Sequence, residues 1–189
     1  MQMTVREMTI PGCFEISPSI SRDERGAFVK TFHQEVFQRH NLTTDWREEF
    51  YSVSSHGVLR GLHFQLPPHE HDKLVYCTAG AVLDAALDLR LGSPSYGCHI
   101  LLELSAEAGN MLYLPRGLAH GFCVQSDSAT LVYKVSSIHA PEHDTGILWN
   151  SAGIPWPDHN PRLSRRDARF ATLANFSSPF HYDGDRIQP

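Results

Sequence analysis

The amino-acid sequence predicts an all-β fold, and within that class a jelly roll, on three observations. From Tyr51 to Val135, short segments rich in Val, Leu, Tyr and Phe are separated by turn signals such as Ser55-His56-Gly57, Ala79-Gly80, Leu91-Gly92-Ser93-Pro94, Pro115-Arg116-Gly117 and Ser126-Asp127-Ser128. The stretch Ala81 to Arg90 alternates, with Ala81, Leu83, Ala85, Leu87 and Leu89 on one face and Val82, Asp84, Ala86, Asp88 and Arg90 on the other. That second, mixed face either meets water or lines a polar cavity. Eight or so strands at this spacing make a sandwich or barrel, and a jelly roll fits best because it wraps such strands around an interior of ligand size.

In chain order, the first element is a helix from Gln34 to His40, ended by Asn41 as a C-terminal cap. Strands are expected at 50–54, 58–65, 73–78, 81–90, 98–104, 110–114, 120–125 and 129–136, as β-branched, aliphatic and aromatic runs bounded by turn residues. A turn or two of helix is expected near 165–171, and the Trp-, Pro- and Asn-rich stretch from about Gly146 should pack outside the barrel. No repeat or linker is visible, so the 189 residues are expected to form one domain, 1–189, with a jelly-roll core at about 48–137.

Composition narrows the function. Hydrophobic residues make up 41%, or about 48% with the 13 glycines, which suits a globular chain and argues against disorder. Sixteen Lys plus Arg against 21 Asp plus Glu give a net charge of −5, which lacks the basic footprint of a nucleic-acid binder while leaving local arginines for a small anion. Arg6 and Glu7 break the apolar stretch a signal peptide needs, and no segment approaches the ~18 apolar residues of a membrane span. A soluble, cytoplasmic protein is expected. The cysteines at 13, 77, 98 and 123 show no C-x-x-C spacing and read as reduced, buried thiols. Twelve histidines are the compositional oddity, several of them close together around 63–71.

The segment Gly57-Val58-Leu59-Arg60-Gly61-Leu62-His63-Phe64-Gln65 sets an Arg and a His into an apolar strand, where both need partners. Arg60 and His63 have opposite parity, so an ideal strand points them to opposite faces, and a bulge at Gly61 is what would bring them together. Further on, Gly109-(x5)-Pro115-x-Gly117-x2-His120 is similar to the second conserved motif of the cupin superfamily as far as its histidine, which implies a double-stranded β-helix. In metal-binding cupins that histidine joins an H-x-H pair and a Glu. His69-x-His71 offers the pair, but no Glu follows and Lys73 would repel a dication, so no metal is expected. Tyr133, in the run 130–134, read alone is a core tyrosine with a bonded hydroxyl. Ser164-x-x-Asp167 read alone is a helix capping box, and the arginines at 162, 165, 166 and 169 a solvated helix face. No G-x-S-x-G, G-x-G-x-x-G or G-x4-G-K-[ST] occurs, so nothing points to a nucleophile elbow or a common phosphate loop.

Together, Asp23-Glu24-Arg25-Gly26, the 57–65 segment, Lys73-Leu74-Val75, Pro115-x-Gly117-x2-His120-Gly121-Phe122, Tyr133-Lys134 and Leu163-Ser164-x2-Asp167 resemble the dTDP-4-dehydrorhamnose 3,5-epimerase family, in order from about residue 8 to 170. The resemblance implies a cofactor-free isomerase acting on a nucleotide-diphosphate sugar, a 4-keto-6-deoxyhexose whose C3 and C5 hydrogens are acidified by the ketone. It implies His63 as base, Asp167 as its partner and Tyr133 as acid. It places Lys73 at the C4 oxyanion, Arg60 and Arg25 at the diphosphate, His120 at the sugar, and Phe28, Glu48, His139 and Asp144 elsewhere in the substrate site. A homodimer is implied too, in which the N-terminal segment reaches the partner's site. Family members often carry Gln and Asn where this chain has Glu48 and Phe50, an acidic residue at Lys30, and a Tyr at His139. These departures leave open the nucleotide, dTDP or CDP, and whether C3, C5 or both are inverted. A metal-dependent cupin using His69, His71 and His120, and a non-catalytic sugar-binding cupin, are the other readings. The last of these leaves His63, Tyr133 and Asp167 without a role.

Overall fold

The computed structural model describes residues 2–184. Before the core come β1 (Met3–Glu7), β2 (Phe14–Pro18), the hairpin of β3 (Ile20–Asp23) and β4 (Gly26–Val29), and α1 (Gln34–Arg39). The core strands are β5 (Glu48–Ser55), β6 (Leu59–Gln65), β7 (Lys73–Ala79), β8 (Ala81–Asp88), β9 (His99–Ser105), β10 (Met111–Leu114), β11 (Leu118–Val124) and β12 (Ser128–Val135). After them come β13 (Asp144–Gly146) and two single 3-10 turns at Asp167–Arg169 and Leu173–Asn175.

Pairing within the core is nested: β5 with β12, β6 with β11, β7 with β10 and β8 with β9, all antiparallel. One long hairpin has been rolled into two facing sheets, which is the cupin jelly roll. The sheets run β1-β2-β10-β7-β12-β5 and β13-β6-β11-β8-β9. All eight expected core strands are present. Asn41 has φ 55 just beyond α1, the left-handed cap its residue type allows. The short strands β1 to β4 and β13 were not expected, because three to five residues hold too few alternations to stand out from loop.

Three apolar layers hold the sheets. Val75, Val82, Ala86, Leu104, Leu112 and Leu131 fill the space between them. Phe37 from α1 covers the outside of the first sheet with Ile16, Leu74 and Met111. Ile147, Ile154, Trp156 and Phe180 cover the second sheet over Leu59, Leu62, Leu87 and Leu89, so the stretch after Gly146 does pack outside. The alternation of β8 is thereby resolved: its apolar face meets the C-terminal stretch, and its mixed face points inward, with Asp84 fully buried beside Val82 and Ala86. Asp88 forms a buried ion pair with Arg90 (2.8 Å) and accepts from the hydroxyls of Ser93 (2.6 Å) and Ser95 (2.8 Å). Cys13, Cys77 and Cys123 are buried free thiols, whereas Cys98, just before β9, is exposed, which corrects the expectation for that residue. No helix among the described residues is long and apolar enough to cross a membrane.

One irregularity matters for function. Along β11, His120 pairs with His63 and Phe122 with Arg60, so two residues of β6, Gly61 and Leu62, oppose the single Gly121. The extra residue is a β-bulge, and it turns Arg60 and His63 to the same side. Gly61 has φ 134, and a Cβ there would lie 2.5 Å from the Gly121 Cα and 2.9 Å from the His120 carbonyl oxygen. Gly61→Ala is therefore expected to lower unfolding free energy by at least about 2 kcal/mol, from backbone strain and overpacking together. Urea denaturation checks this, and parental stability would show that the bulge tolerates a side chain.

Candidate active site

A cavity of about 270 Å³ is bounded by side chains from both sheets. Glu48, Phe50 and Ser52 reach it from alternate positions of β5, with Arg60 and His63 from β6, Lys73 from β7, His120 from β11 and Tyr133 from β12. Asp144 of β13 and His139, in the segment before it, close one side. A larger cleft of about 1050 Å³ runs beside α1 and the C-terminal stretch, but none of His63, Tyr133 or Asp167 lines it. The smaller cavity is where the chemistry converges.

His63 Nε2 lies 3.0 Å from Asp167 Oδ1, and the Gly61 N–H donates to Asp167 Oδ2 at 3.1 Å. The Asp167 N–H donates to Ser164 Oγ at 3.0 Å, so the capping interaction read from the sequence exists as well. Burial pushes the Asp167 carboxyl up, but the His63 hydrogen bond and charge, with help from Gly61 and Ser164, hold it below the usual carboxylate value. A carboxylate only accepts, so the shared proton sits on His63 Nε2 and Nδ1 keeps a free lone pair. The ring is braced edge-on by Phe170, with centroids 5.6 Å apart. An imidazole held in this way can act as a base, with an anion behind it to stabilise the cation that would form.

Tyr133 shares a 3.1 Å hydrogen bond with Ser52 Oγ and stacks on Phe50 at 4.9 Å and 18°. Burial pushes its phenol well above the ordinary value, so it stays protonated and able to donate. Burial lowers the Lys73 ammonium to about 8, while Asp84 and Asp144 pull it the other way. His120 Nε2 meets both oxygens of Asp84, at 3.0 and 2.9 Å. Arg60 is aimed by Nε donating to Ser54 Oγ at 2.9 Å.

Of the residues expected at the site, His63, Tyr133, Glu48, Arg60, Lys73, His120, His139 and Asp144 line this one cavity, and Asp167 stands directly behind His63. Arg25 and Phe28 do not: they lie on the β3–β4 hairpin, Arg25 paired with Asp23 at 2.6 Å and Phe28 59% exposed. Arg166 is half exposed, as expected, but it stands on no helix face. Only one 3-10 turn forms there, and Arg166 lines the cavity, pairs with Asp144 at 2.8 Å and lies over the Phe170 ring. Ser52, Phe122, Ser137 and Asp84 went unnoticed as site residues; for Asp84 the signal was an acid on the mixed face of β8. The three histidines of the metal reading have separate neighbours: His120 Nε2 meets Asp84, His71 Nδ1 lies 3.0 Å from Ser137 Oγ while its Nε2 has no hydrogen-bond partner among the described residues, and His69 stands against the His143 ring at 4.5 Å. Among the described residues, no three His, Cys, Asp or Glu side chains are grouped to hold a metal ion.

Sequence comparison settles the lineage. The family model for dTDP-4-dehydrorhamnose 3,5-epimerase matches residues 7–175. The chain belongs to that family. A dTDP-4-dehydrorhamnose 3,5-epimerase of Shigella flexneri is 42% identical over 168 residues, 87% of this chain and 93% of that protein. The crystal structure of a dTDP-6-deoxy-D-glucose-3,5-epimerase from Legionella pneumophila, in complex with dTDP-4-keto-L-rhamnose, is 34% identical with a TM-score of 0.90, covering 96% of this chain and all of that one. A 4-keto-6-deoxy sugar epimerase from the novobiocin cluster of Streptomyces spheroides is 37% identical with a TM-score of 0.88, over 92% and 89% of the two chains. As a member of the dTDP-4-dehydrorhamnose 3,5-epimerase family, the protein is an isomerase of deoxysugar biosynthesis. Replacing His63 or Asp167 by Ala is expected to cut epimerase turnover by about 10²–10⁴ while the far-ultraviolet circular dichroism stays parental. Full activity in a folded His63→Ala protein would remove the imidazole from the chemistry.

Proposed function

We propose that this epimerase inverts both C3 and C5 of dTDP-4-dehydro-6-deoxyglucose with His63, Asp167 and Tyr133 as its proton-transfer set. The observation that carries the reading is the meeting of an Asp-oriented imidazole and a protonated phenol in one cavity beside a lysine. His63 Nδ1 takes the proton from the carbon next to the ketone, and the C–H electron pair moves to make the enolate with its charge on the C4 oxygen. Lys73 offsets that charge. Tyr133 returns a proton to the opposite face of the carbon, and the ketone re-forms. His63 has then gained one proton and Tyr133 lost one, and exchange with solvent resets both before the second carbon reacts. No cofactor is required for these steps. Arg60 suits the diphosphate, His120 the sugar, and Glu48, His139 and Asp144 the remaining walls.

The active form in this reading is a homodimer, with Arg25 and Phe28 of the hairpin completing the partner's cavity. What supports it is the exposure of Phe28 together with Tyr51 and Val53 on edge strand β5. Four free thiols suit a reducing cytoplasm.

Proton NMR in D₂O of the dTDP-linked 4-keto-6-deoxyglucose with purified enzyme tests the proposal. Deuterium is expected at both C3 and C5; incorporation at one carbon would make the enzyme a mono-epimerase, and none at either carbon would end the reading. Tyr133→Phe is expected to keep solvent exchange while epimerised product falls by about 10²–10⁴, since abstraction survives and reprotonation does not. Loss of both together would contradict this division of labour.

A further inference from the structure

We propose that Asp84 is a positioning residue for this reaction, holding His120 in one ring orientation and one tautomer and supplying the counter-charge that keeps Lys73 cationic beside the C4 oxygen. The inference rests on the epimerase reading above. Asp84 does not line the cavity, so it acts only through its neighbours. On β8 it is paired with Phe122 while Ala86 is paired with His120, which places acid and imidazole diagonally on adjacent strands, both facing the barrel interior.

Its setting is otherwise apolar: Val82 and Ala86 flank it on the same face, and its own exposure is 0%. An acid in such a wall is costly to bury, and a hydrophobic residue of similar volume often serves stability as well or better. An acid at this position is best accounted for by what it does to the groups around it. Both carboxylate oxygens are spent on the one His120 nitrogen, at 3.0 and 2.9 Å. With the acid ionised, Nε2 carries the proton and Nδ1 is left as an acceptor.

The titratable groups facing this pair are Lys73 and Cys77 of β7, His63 of β6, Tyr133 of β12, Cys13 before β2 and His71 before β7; burial pushes both thiols up, and Asp144 of β13 also acts on Lys73. Burial pushes Asp84 up and His120 down, so the imidazole is neutral, while the His120 N–H bond and the Lys73 charge oppose the rise at Asp84 without cancelling it. Asp84 in turn resists the loss of the Lys73 proton. A carboxylate set behind the cavity wall, beyond the substrate, preserves the ammonium and leaves the cavity to the enolate oxygen.

The test follows turnover and deuterium exchange in the parent and in Asp84→Asn across about pH 6–10, with thymidine diphosphate binding measured alongside. The variant is expected to bind thymidine diphosphate as the parent does and to turn over about tenfold or more slowly. Its alkaline limb in kcat/KM, which reports the free enzyme, should move to lower pH by about one unit. The sign follows from Lys73: removing a nearby negative charge lowers an ammonium pKa that already stands at about 8, so the required proton is lost sooner as pH rises. Parental turnover, or an alkaline limb that does not move, overturns the inference. Should the variant fail to fold, nitrogen-15 NMR of the parent decides: His120 is expected as a single Nε2–H tautomer that does not titrate over this range, and mixed tautomers or titration would overturn the proposal. A parent without exchange at either carbon sinks the epimerase reading and this inference with it. A parent that exchanges beside an unaltered Asn variant sinks this inference alone.

Discussion

A strand that alternates its side chains cannot present residues three apart to one surface, yet the cavity needs both Arg60 and His63. The bulge of Gly61 and Leu62 against Gly121 removes the conflict, and much else in the site depends on it. It directs the Gly61 N–H to a carboxylate, and Asp167 accepts that bond with one oxygen while the other meets His63. One backbone distortion therefore aims the ring and anchors the group that sets its tautomer. The C-terminal stretch is held at the same place: Leu59 N–H donates to the Arg162 carbonyl, and Arg162 N–H to that of Gly57. The close approach of β6 and β11 leaves no room for a Cβ on Gly61, so the geometry of the dyad rests on the residue with least to pack.

Burial then assigns chemical character to residues that are ordinary in water. The same low-dielectric wall keeps the Tyr133 phenol protonated and weakens the hold of Lys73 on its proton. Carboxyl groups stand one layer back, Asp167 behind His63 and Asp84 behind His120, and Asp84 opposes the trend at Lys73 while reinforcing it at Tyr133. The arrangement gives two imidazoles of different character: one has its free nitrogen available for base chemistry beside a depressed acid, and the other is held neutral in the wall. A third buried acid, Asp88, shows the structural use of the same chemistry. Its oxygens are taken up by Arg90, Ser93 and Ser95, it does not line the cavity, and it closes the turn after β8.

Much of this was legible in the residues. Strands from β5 to β12 follow from apolar and β-branched runs bounded by Gly, Pro, Ser or Asp; most are long enough to stand out, and the four-residue β10 is marked by the turn residues Gly109 and Pro115 on either side. The identity of the reactive types was legible too, since Arg60, His63 and Lys73 are costly in apolar runs unless something uses them. Where the reading failed, the cause was distance in sequence. Arg166 looked like one of four arginines on a helix, but its partner is Asp144, 22 positions away, and a single 3-10 turn forms where a helix face was expected. Asp84 stood on a face that could equally have met water. Arg25 and Phe28 are a different case: they stand on an exposed hairpin outside the chain's own cavity, and the resemblance assigns them to a site shared between two chains.

By itself, then, the sequence determined the β class, the places where strands start and stop, the apolar faces and the chemical types available, because each is a local property of spacing and side-chain preference. Tertiary structure alone decided that the mixed face of β8 turns inward and that Arg60 and His63 share a side. Residue patterning could not bring Asp167 to His63 across 104 positions of chain; the family resemblance implied that pairing and the closed barrel makes it. The physical reason is that patterning repeats over two residues, whereas these outcomes depend on register between strands and on where a distant segment docks, which are properties of the closed barrel as a whole.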